Sequence, residues 1–377
     1  MKMHIKPISK SDLKSYLAIA DLTNDENHAI GILAKQIIEH IKTTHVKSDV
    51  RVYRRHPIVT IENNYDRLGI TKDNISRSST YTHYVDDDHV LRTHTSAEIP
   101  VILRELAEEK DWSDVLISLP GLAYRRDVTD KKHVGQVHML DMWRVVRTDK
   151  VHKITKQDLL DVVNGVAKTA APGWTLRIED SPHPYTEQGI EVNACHGERD
   201  IEILECGLIK PRILRDAGLD PAQYSGWALG MGLDRLTMTL KDIPDVRYLR
   251  SLNPRIAKQM HSLEPYVEVS LQPSIKRDMS YSVPSQYVEE DINEDIRRSL
   301  DEDMGILESV EVLSETQYDE LPNVARDKLG INGDQKNVLV RITLRHLERS
   351  ITNQEANGLY EQVYSYVNKG TGGYDAQ

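Results

Sequence analysis

Apolar residues between Asp25 and Thr44 recur at helical spacing, at Ile30, Leu33, Ile37, Ile38 and Ile41, and predict an amphipathic helix that Asn24 or Asp25 can cap. From Asp49 to Thr60 the pattern turns to alternation through Val50, Val52, Tyr53, Ile58 and Val59, which favours strands. Asp114 to Leu119 reads as a short buried strand, and the stretch up to Gly232 is rich in strand patterns broken by Gly and Pro. A helical run returns from Asp245 to Gln259. Strands grouped before helices, without regular alternation of the two, point to an α+β core built on an antiparallel sheet.

Near Leu263 the pattern starts afresh. Strand patterns at Tyr266–Leu271 and Asp278–Val283 precede an acidic helix over Val288–Leu300. Strands at Leu307–Leu313 and Asn337–Leu344 and a helix over Asn353–Val367 follow. That order fits a ferredoxin-like split βαβ arrangement. With 377 residues the chain suits a large domain, residues 1–262, and a modest second one, residues 263–377.

Charge sharpens this division. Residues 263–377 hold 11 Lys and Arg against 22 Asp and Glu, whereas residues 1–262 hold 37 of each, so the whole formal excess of −11 lies in the second domain. Such a domain lacks the overall basic balance expected of a surface that grips a phosphate backbone. Only two cysteines occur, Cys195 and Cys206, too few for a disulfide framework or a zinc site, and both read as reduced. No apolar run has the length of a signal peptide or a membrane span, which suggests a cytoplasmic protein with no membrane partner. Phenylalanine is absent although 17 tyrosines and 4 tryptophans are present. Ordinary usage would supply roughly a dozen, so drift by volume-conserving swaps is the less favoured explanation.

Three stretches carry candidate chemistry. In Gly226-Trp227-Ala228-Leu229-Gly230-Met231-Gly232-Leu233-Asp234-Arg235, glycines 230 and 232 let a strand approach a ligand closely, and Arg235 opens the next helix within reach of a phosphate. Tyr124-Arg125-Arg126-Asp127-Val128-Thr129-Asp130-Lys131-Lys132-His133 is dense in phosphate-binding groups and could form, with His138 on the returning strand, a hairpin over a nucleotide. Leu91-Arg92-Thr93-His94-Thr95-Ser96 adds a polar run. Each alone reads equally as a turn or a solvated hairpin; together they favour a site.

Together these stretches resemble the motifs of phenylalanyl-tRNA synthetases of the single-chain, mitochondrial type, over most of the chain from about Arg54. Asn64-Tyr65-Asp66-Arg67-Leu68 is similar to the family's entry to the core, with Tyr where Phe is common, and Ile201-Glu202-Ile203-Leu204-Glu205-Cys206-Gly207 to a later strand. Pro273-Ser274-Ile275-Lys276-Arg277-Asp278 and Glu348-Arg349-Ser350 resemble its anticodon-binding domain. The resemblance implies a class II synthetase core with a C-terminal ferredoxin-like domain, using ATP and Mg²⁺ to form an aminoacyl-AMP and charge tRNA. It implies that Arg125 binds the α-phosphate and Arg235 the γ-phosphate. Asp127, His133, Val137 and Gly232 would line the ATP site, and Glu202 would hold Mg²⁺. His94 and Ser96 would position the amino acid, in a pocket shared with Ile99, Met139, Asp141, His183, Tyr185 and Ala228. Lys276, Arg277 and Arg349 would meet tRNA. The assembly would be a monomer or a homodimer.

The pocket departs from the family pattern. Two glutamines expected near the substrate ammonium are Ile99 and Met139, leaving Asp141 as the acceptor, and the adenine-stacking ring is Val137. The family's Phe-Pro-Phe reads His183-Pro184-Tyr185. Losing paired groups around a buried ammonium costs about 1–3 kcal/mol each, so an aromatic or related substrate is expected, with phenylalanine bound poorly. The alternative is a paralogue that activates or senses another amino acid without charging tRNA.

Overall fold

The computed structural model describes residues 7–126, 131, 134–197, 199–268, 272–346 and 349–372. Compactness divides the chain into two units, the first made of Met1–Arg125, Gln136–Ile243 and Ala257–Tyr266 and the second of Arg126–Gly135, Pro244–Ile256 and Val267–Gln377. The boundary expected between 262 and 263 thus falls at 266, and two short earlier segments group with the C-terminal residues. Among the described residues no helix is long and apolar enough to cross a membrane.

The first unit is built on a seven-stranded sheet. Its strands are β1 (Asp49–Val52), β4 (Asp114–Tyr124), β5 (Gln136–Arg147), β6 (Thr175–Asp180), β7 (Thr186–His196), β8 (Arg199–Ile209) and β9 (Tyr224–Gly232). They run in the order β1-β4-β5-β9-β8-β7-β6. Every pairing is antiparallel except the parallel edge pair β1 and β4. A small ladder joins β2 (Ile58–Thr60) to β3 (His89–Leu91). Strand β4 runs five residues past the expected end and is buried at every position, so it lacks the alternation that marks a half-exposed strand.

The first predicted helix forms over Ala29–Thr44 and buries Ile30, Leu33, Ile37, Ile38 and Ile41 as expected. Its cap is His28, whose ring accepts from the Ile30 N–H, because residues 22–24 make their own 3₁₀ turn capped by Asp21. Gly31 lets the helix meet that turn, since a Cβ there would lie 2.0 Å from the Asp25 carbonyl oxygen. Helix Lys156–Ala170, which packs against it, falls in a region read as strand-rich. Thr155 and Asp158 form a reciprocal capping box, the available sequence signal for that helix. The helical run expected over 245–259 is broken into a 3₁₀ turn, Val246–Arg250, and a short helix, Pro254–Ala257. Pro254 disfavours helical geometry at Asn253 before it.

In the second unit, β10 (Ile275–Pro284), β11 (Leu307–Gln317) and β12 (Gln335–Leu344) pair antiparallel in the order β10-β12-β11. Helices Glu289–Leu300 and Asn353–Val367 share its core with Met279, Tyr281 and Val283 from β10 and Val338, Val340 and Ile342 from β12. This is the expected split βαβ order, except that residues 266–268 are not strand and 269–271 lie outside the described residues.

Tyr281 is fully buried in that core and its hydroxyl has no hydrogen-bond partner; burial drives the phenol's pKa upward. An orphaned buried hydroxyl costs stability that a benzyl side chain of the same shape avoids. Tyr281→Phe is therefore expected to stabilise the protein by about 1–2 kcal/mol, read as a higher urea midpoint with unchanged slope. An unchanged or lower midpoint would show that the hydroxyl is solvated or paired in solution.

Candidate active site

The site lies on one face of the large sheet, where the register brings distant residues together. Met139, Asp141 and Trp143 alternate on β5 and stand opposite Gly232, Gly230 and Ala228 of β9. Glu205 of β8 also pairs with Gly230. The same face continues into an apolar cluster that contains Trp143, Ala228, Ile99 and Leu103. The pocket is lined by Trp143, His183, Tyr185, Thr186, Glu205, Ala228 and Gly230. The rings of Trp143 and Tyr185 stack with centroids 5.4 Å apart.

A bulge decides where Glu202 points. Glu191 pairs with Glu205 and Asn193 with Glu202, so Ile203 is the extra residue in β8 and Glu202 turns onto the same face as Glu205. Arg235, in the first turn of helix Leu233–Leu240, approaches Glu202 at 4.0 Å. Burial raises the pKa of Glu202, helped by the Glu205 charge, while Arg235 opposes the shift. Arg125, just past the end of β4, donates through Nε to the Thr93 carbonyl at 3.0 Å, and its Nη2 is 3.9 Å from the Met139 sulfur.

His94 donates through Nε2 to the Asn64 carbonyl at 3.1 Å, leaving a buried, unpartnered Nδ1 as an acceptor. Burial, with the Arg125 charge, pulls its pKa down to about 4, so the imidazole is neutral at working pH. Asp141 is buried, and its Oδ2 accepts from the Ser96 N–H at 2.5 Å and the Ser96 hydroxyl at 2.8 Å. Burial pushes the Asp141 pKa up against those bonds.

The structure thus gathers Arg125, Arg235, Glu202, Gly232, His94, Ser96, Met139, Asp141, His183, Tyr185 and Ala228 in one unit. Ile99 is different: as the first residue of helix Ile99–Glu108 it is fully buried in the apolar cluster. Val137 is a half-buried residue of β5. Asp127 and His133 lie outside the described residues. His138 does not cover a nucleotide, because alternation on β5 turns it to the face opposite Met139 and Asp141. There it is fully buried, its Nδ1 and backbone N–H both donate to Asp234, and its Nε2 accepts from the Leu22 N–H at 3.2 Å. Glu205, Trp143 and Thr186 line the pocket and were missed by sequence reasoning, whereas His138 was misplaced and Asp234 overlooked on the opposite face.

In the second unit, Arg277 and Arg349, two of the residues expected to meet tRNA, already have polar partners. Lys276 and Arg277 are consecutive on β10 and so point to opposite faces of the sheet. Arg277 donates to Asn357, Arg349 pairs with Glu355 at 2.8 Å, and Arg341 makes a two-point pair with Asp278 at 2.7 and 2.8 Å. Arg345 pairs with Glu308. Carboxylates thus stand beside Arg341, Arg345 and Arg349, while Arg277 meets an amide.

A family model described as the tRNA synthetases class II core domain (F) matches residues 19–260. The chain is 30% identical over 354 residues to a chloroplastic/mitochondrial phenylalanine–tRNA ligase of Arabidopsis thaliana, covering 91% of this chain and 77% of that protein. It is 27% identical over 432 residues to the mitochondrial phenylalanine–tRNA ligase of Saccharomyces cerevisiae, covering 91% and 87%. The mitochondrial enzyme of Mus musculus aligns at 25% identity over 389 residues, covering 91% and 80%. The mitochondrial or chloroplastic names of these relatives overturn the cytoplasmic location expected from the sequence. With a core model spanning well over half its length and a sheet that assembles the matching motifs on one face, the chain belongs to the class II aminoacyl-tRNA synthetases, alongside the single-chain phenylalanine–tRNA ligases.

Proposed function

We infer that this chain is a phenylalanine–tRNA ligase, which activates phenylalanine with ATP and transfers it to tRNA. The observation that carries this reading is the alignment with such ligases over 91% of the chain. The alternative, a paralogue that senses or activates another amino acid without charging tRNA, is not favoured by those relatives.

In the first step a carboxylate oxygen of the amino acid attacks the α-phosphorus in line, pyrophosphate leaves and aminoacyl-AMP forms. No protein nucleophile is required. Arg125 is assigned to the α-phosphate, where negative charge builds up in the transition state, and Arg235 to the outer phosphates. Neutral His94 offers its Nδ1 lone pair, and Ser96, fixed by Asp141, holds the amino acid end. Trp143, Tyr185 and Ala228 form the apolar wall for the ring.

Glu202 suits a Mg²⁺ ion, since it is a solvent-accessible carboxylate crowded by the charges of Glu205 and Glu191 and only partly offset by Arg235. Among the described residues no group of three or more His, Cys, Asp or Glu could cage a metal alone. When bound, Mg²⁺ would neutralise charge on the triphosphate.

ATP–pyrophosphate exchange across a panel of amino acids tests the reading. Exchange is expected with phenylalanine; exchange only with a non-aromatic amino acid, or with none, would overturn it.

A further inference from the structure

The ammonium of the amino acid needs acceptors, and the side chains of Ile99 and Met139 offer none. Asp141 alone is a poor acceptor. Its Oδ2 is committed to two bonds from Ser96, and burial biases it toward the neutral form. The sheet register supplies another group. Asp141 from β5 and Glu205 from β8 both pair with Gly230, one on each side, so their side chains rise from the same face with a glycine between them. A Cβ at 230 would lie 2.7 Å from Asp141 Oδ1, so the gap exists only because the residue is glycine.

Glu205 faces the His183 ring on its far side, whose buried Nε2 has no formed hydrogen bond. His183 Nε2 stands 3.4 Å from its Oε1, and His183 Nδ1 is 3.2 Å from the Thr186 hydroxyl. Gly189 leaves room for that ring, since a Cβ there would be 2.7 Å from His183 Nδ1. Glu205 therefore presents a second carboxylate to the gap, beside Asp141 whose Oδ2 is already taken by Ser96. The gap over Gly230 adjoins the stacked Trp143 and Tyr185 rings and Ala228, which puts a cation site beside an apolar slot, the arrangement an aromatic α-amino acid requires.

We propose that Glu205 is a specificity-determining residue which accepts a hydrogen bond from the substrate's α-ammonium over Gly230, opposite Asp141, with His183 as its positioning residue. The proposal rests on the phenylalanine–tRNA ligase reading and adds to it the group that distinguishes an amino acid from the same acid lacking its amine. Glu202 is left free for the metal.

The test compares wild type with Glu205→Gln, which keeps the shape and removes the charge. Three quantities are read: the KM for phenylalanine and the KM for ATP in pyrophosphate exchange, and inhibition by 3-phenylpropanoate, which has the ring and carboxylate without the amine. Glu205→Gln is expected to raise the phenylalanine KM at least about tenfold, in keeping with a charge-assisted bond. The KM for ATP and the inhibition constant of 3-phenylpropanoate should stay within about twofold, so that preference for the amine narrows by the same tenfold. His183→Ala should move the same ratio in the same direction by less. An unchanged phenylalanine KM overturns the proposal, as does equal weakening of both ligands, which marks a structural role, or a rise confined to ATP, which marks a metal role. If Glu205→Gln does not fold, Glu205→Asp gives the same readout, with a shortened carboxylate that should lose preference for the amine. A wild type with no phenylalanine exchange counts against the ligase reading itself, and amine preference is then read from calorimetric binding of phenylalanine against 3-phenylpropanoate.

Discussion

Arg125→Ala is expected to lower the rate of pyrophosphate exchange by about 100- to 1000-fold, the range seen when one preorganised donor to a developing charge is removed. Arg125 is fixed before ATP arrives, through its Nε bond to the Thr93 carbonyl and its place at the end of a fully buried strand. A group already aimed contributes mainly to the transition state, so the loss should fall on kcat. Arg235 has a half-exposed side chain with one carboxylate 4.0 Å away. Its replacement by alanine should act more on the KM for ATP. Arg125→Lys should not restore activity, because an ammonium cannot both keep the Thr93 bond and present a planar donor pair to phosphate. Activity within about tenfold of wild type for Arg125→Ala would remove it from the transition state.

Asp234→Ala should cost about 2–4 kcal/mol of stability, because it strips the acceptor from two buried donors, the His138 backbone N–H and Nδ1. Asp234 neighbours Arg235 in the first turn of helix Leu233–Leu240, so the same change should loosen the helix start and raise the KM for ATP. Asp234→Asn should recover only part of the loss, since its amide can accept from one donor and presents a donor to the other. Urea unfolding and nucleotide KM, measured on both variants, check this. A stability within about 0.5 kcal/mol of wild type for Asp234→Ala would mean that the clamp does not anchor the helix.

Parts of this molecule were legible in the sequence for plain physical reasons. Helix Asn353–Val367 carries strong periodicity with a Thr352 and Glu355 capping box, and it forms over the residues expected. Arg125, Arg235, His94 and Ser96 sit in short motifs whose local geometry is set within a few residues, and the fold brings them together. Helix Lys156–Ala170 was obscured because Val162, Val163 and Val166 suit a strand as well as a helix, although Thr155 and Asp158 marked its start. Glu205 could not be found by spacing, because it meets Asp141 only through a pairing of three strands around Gly230. The direction of Glu202 depends on a one-residue bulge at Ile203, and a bulge leaves no reliable mark in a hydrophobic pattern. His138 was misread for a simpler reason: with Met139 and Asp141 facing the site, strand alternation alone sends it to the other side.

The acidic second unit bears on how the chain reaches RNA, since Arg341, Arg345 and Arg349 are each paired with a carboxylate. The central claim remains that aminoacyl transfer to tRNA follows activation. Its most direct test is to incubate the protein with ATP, Mg²⁺, radiolabelled phenylalanine and tRNA, and to count label in acid-precipitable RNA with and without mild alkali. The account predicts ATP-dependent label on tRNA that alkali releases, as an ester linkage requires. Exchange activity with no label on any tRNA from the source of the protein would contradict it.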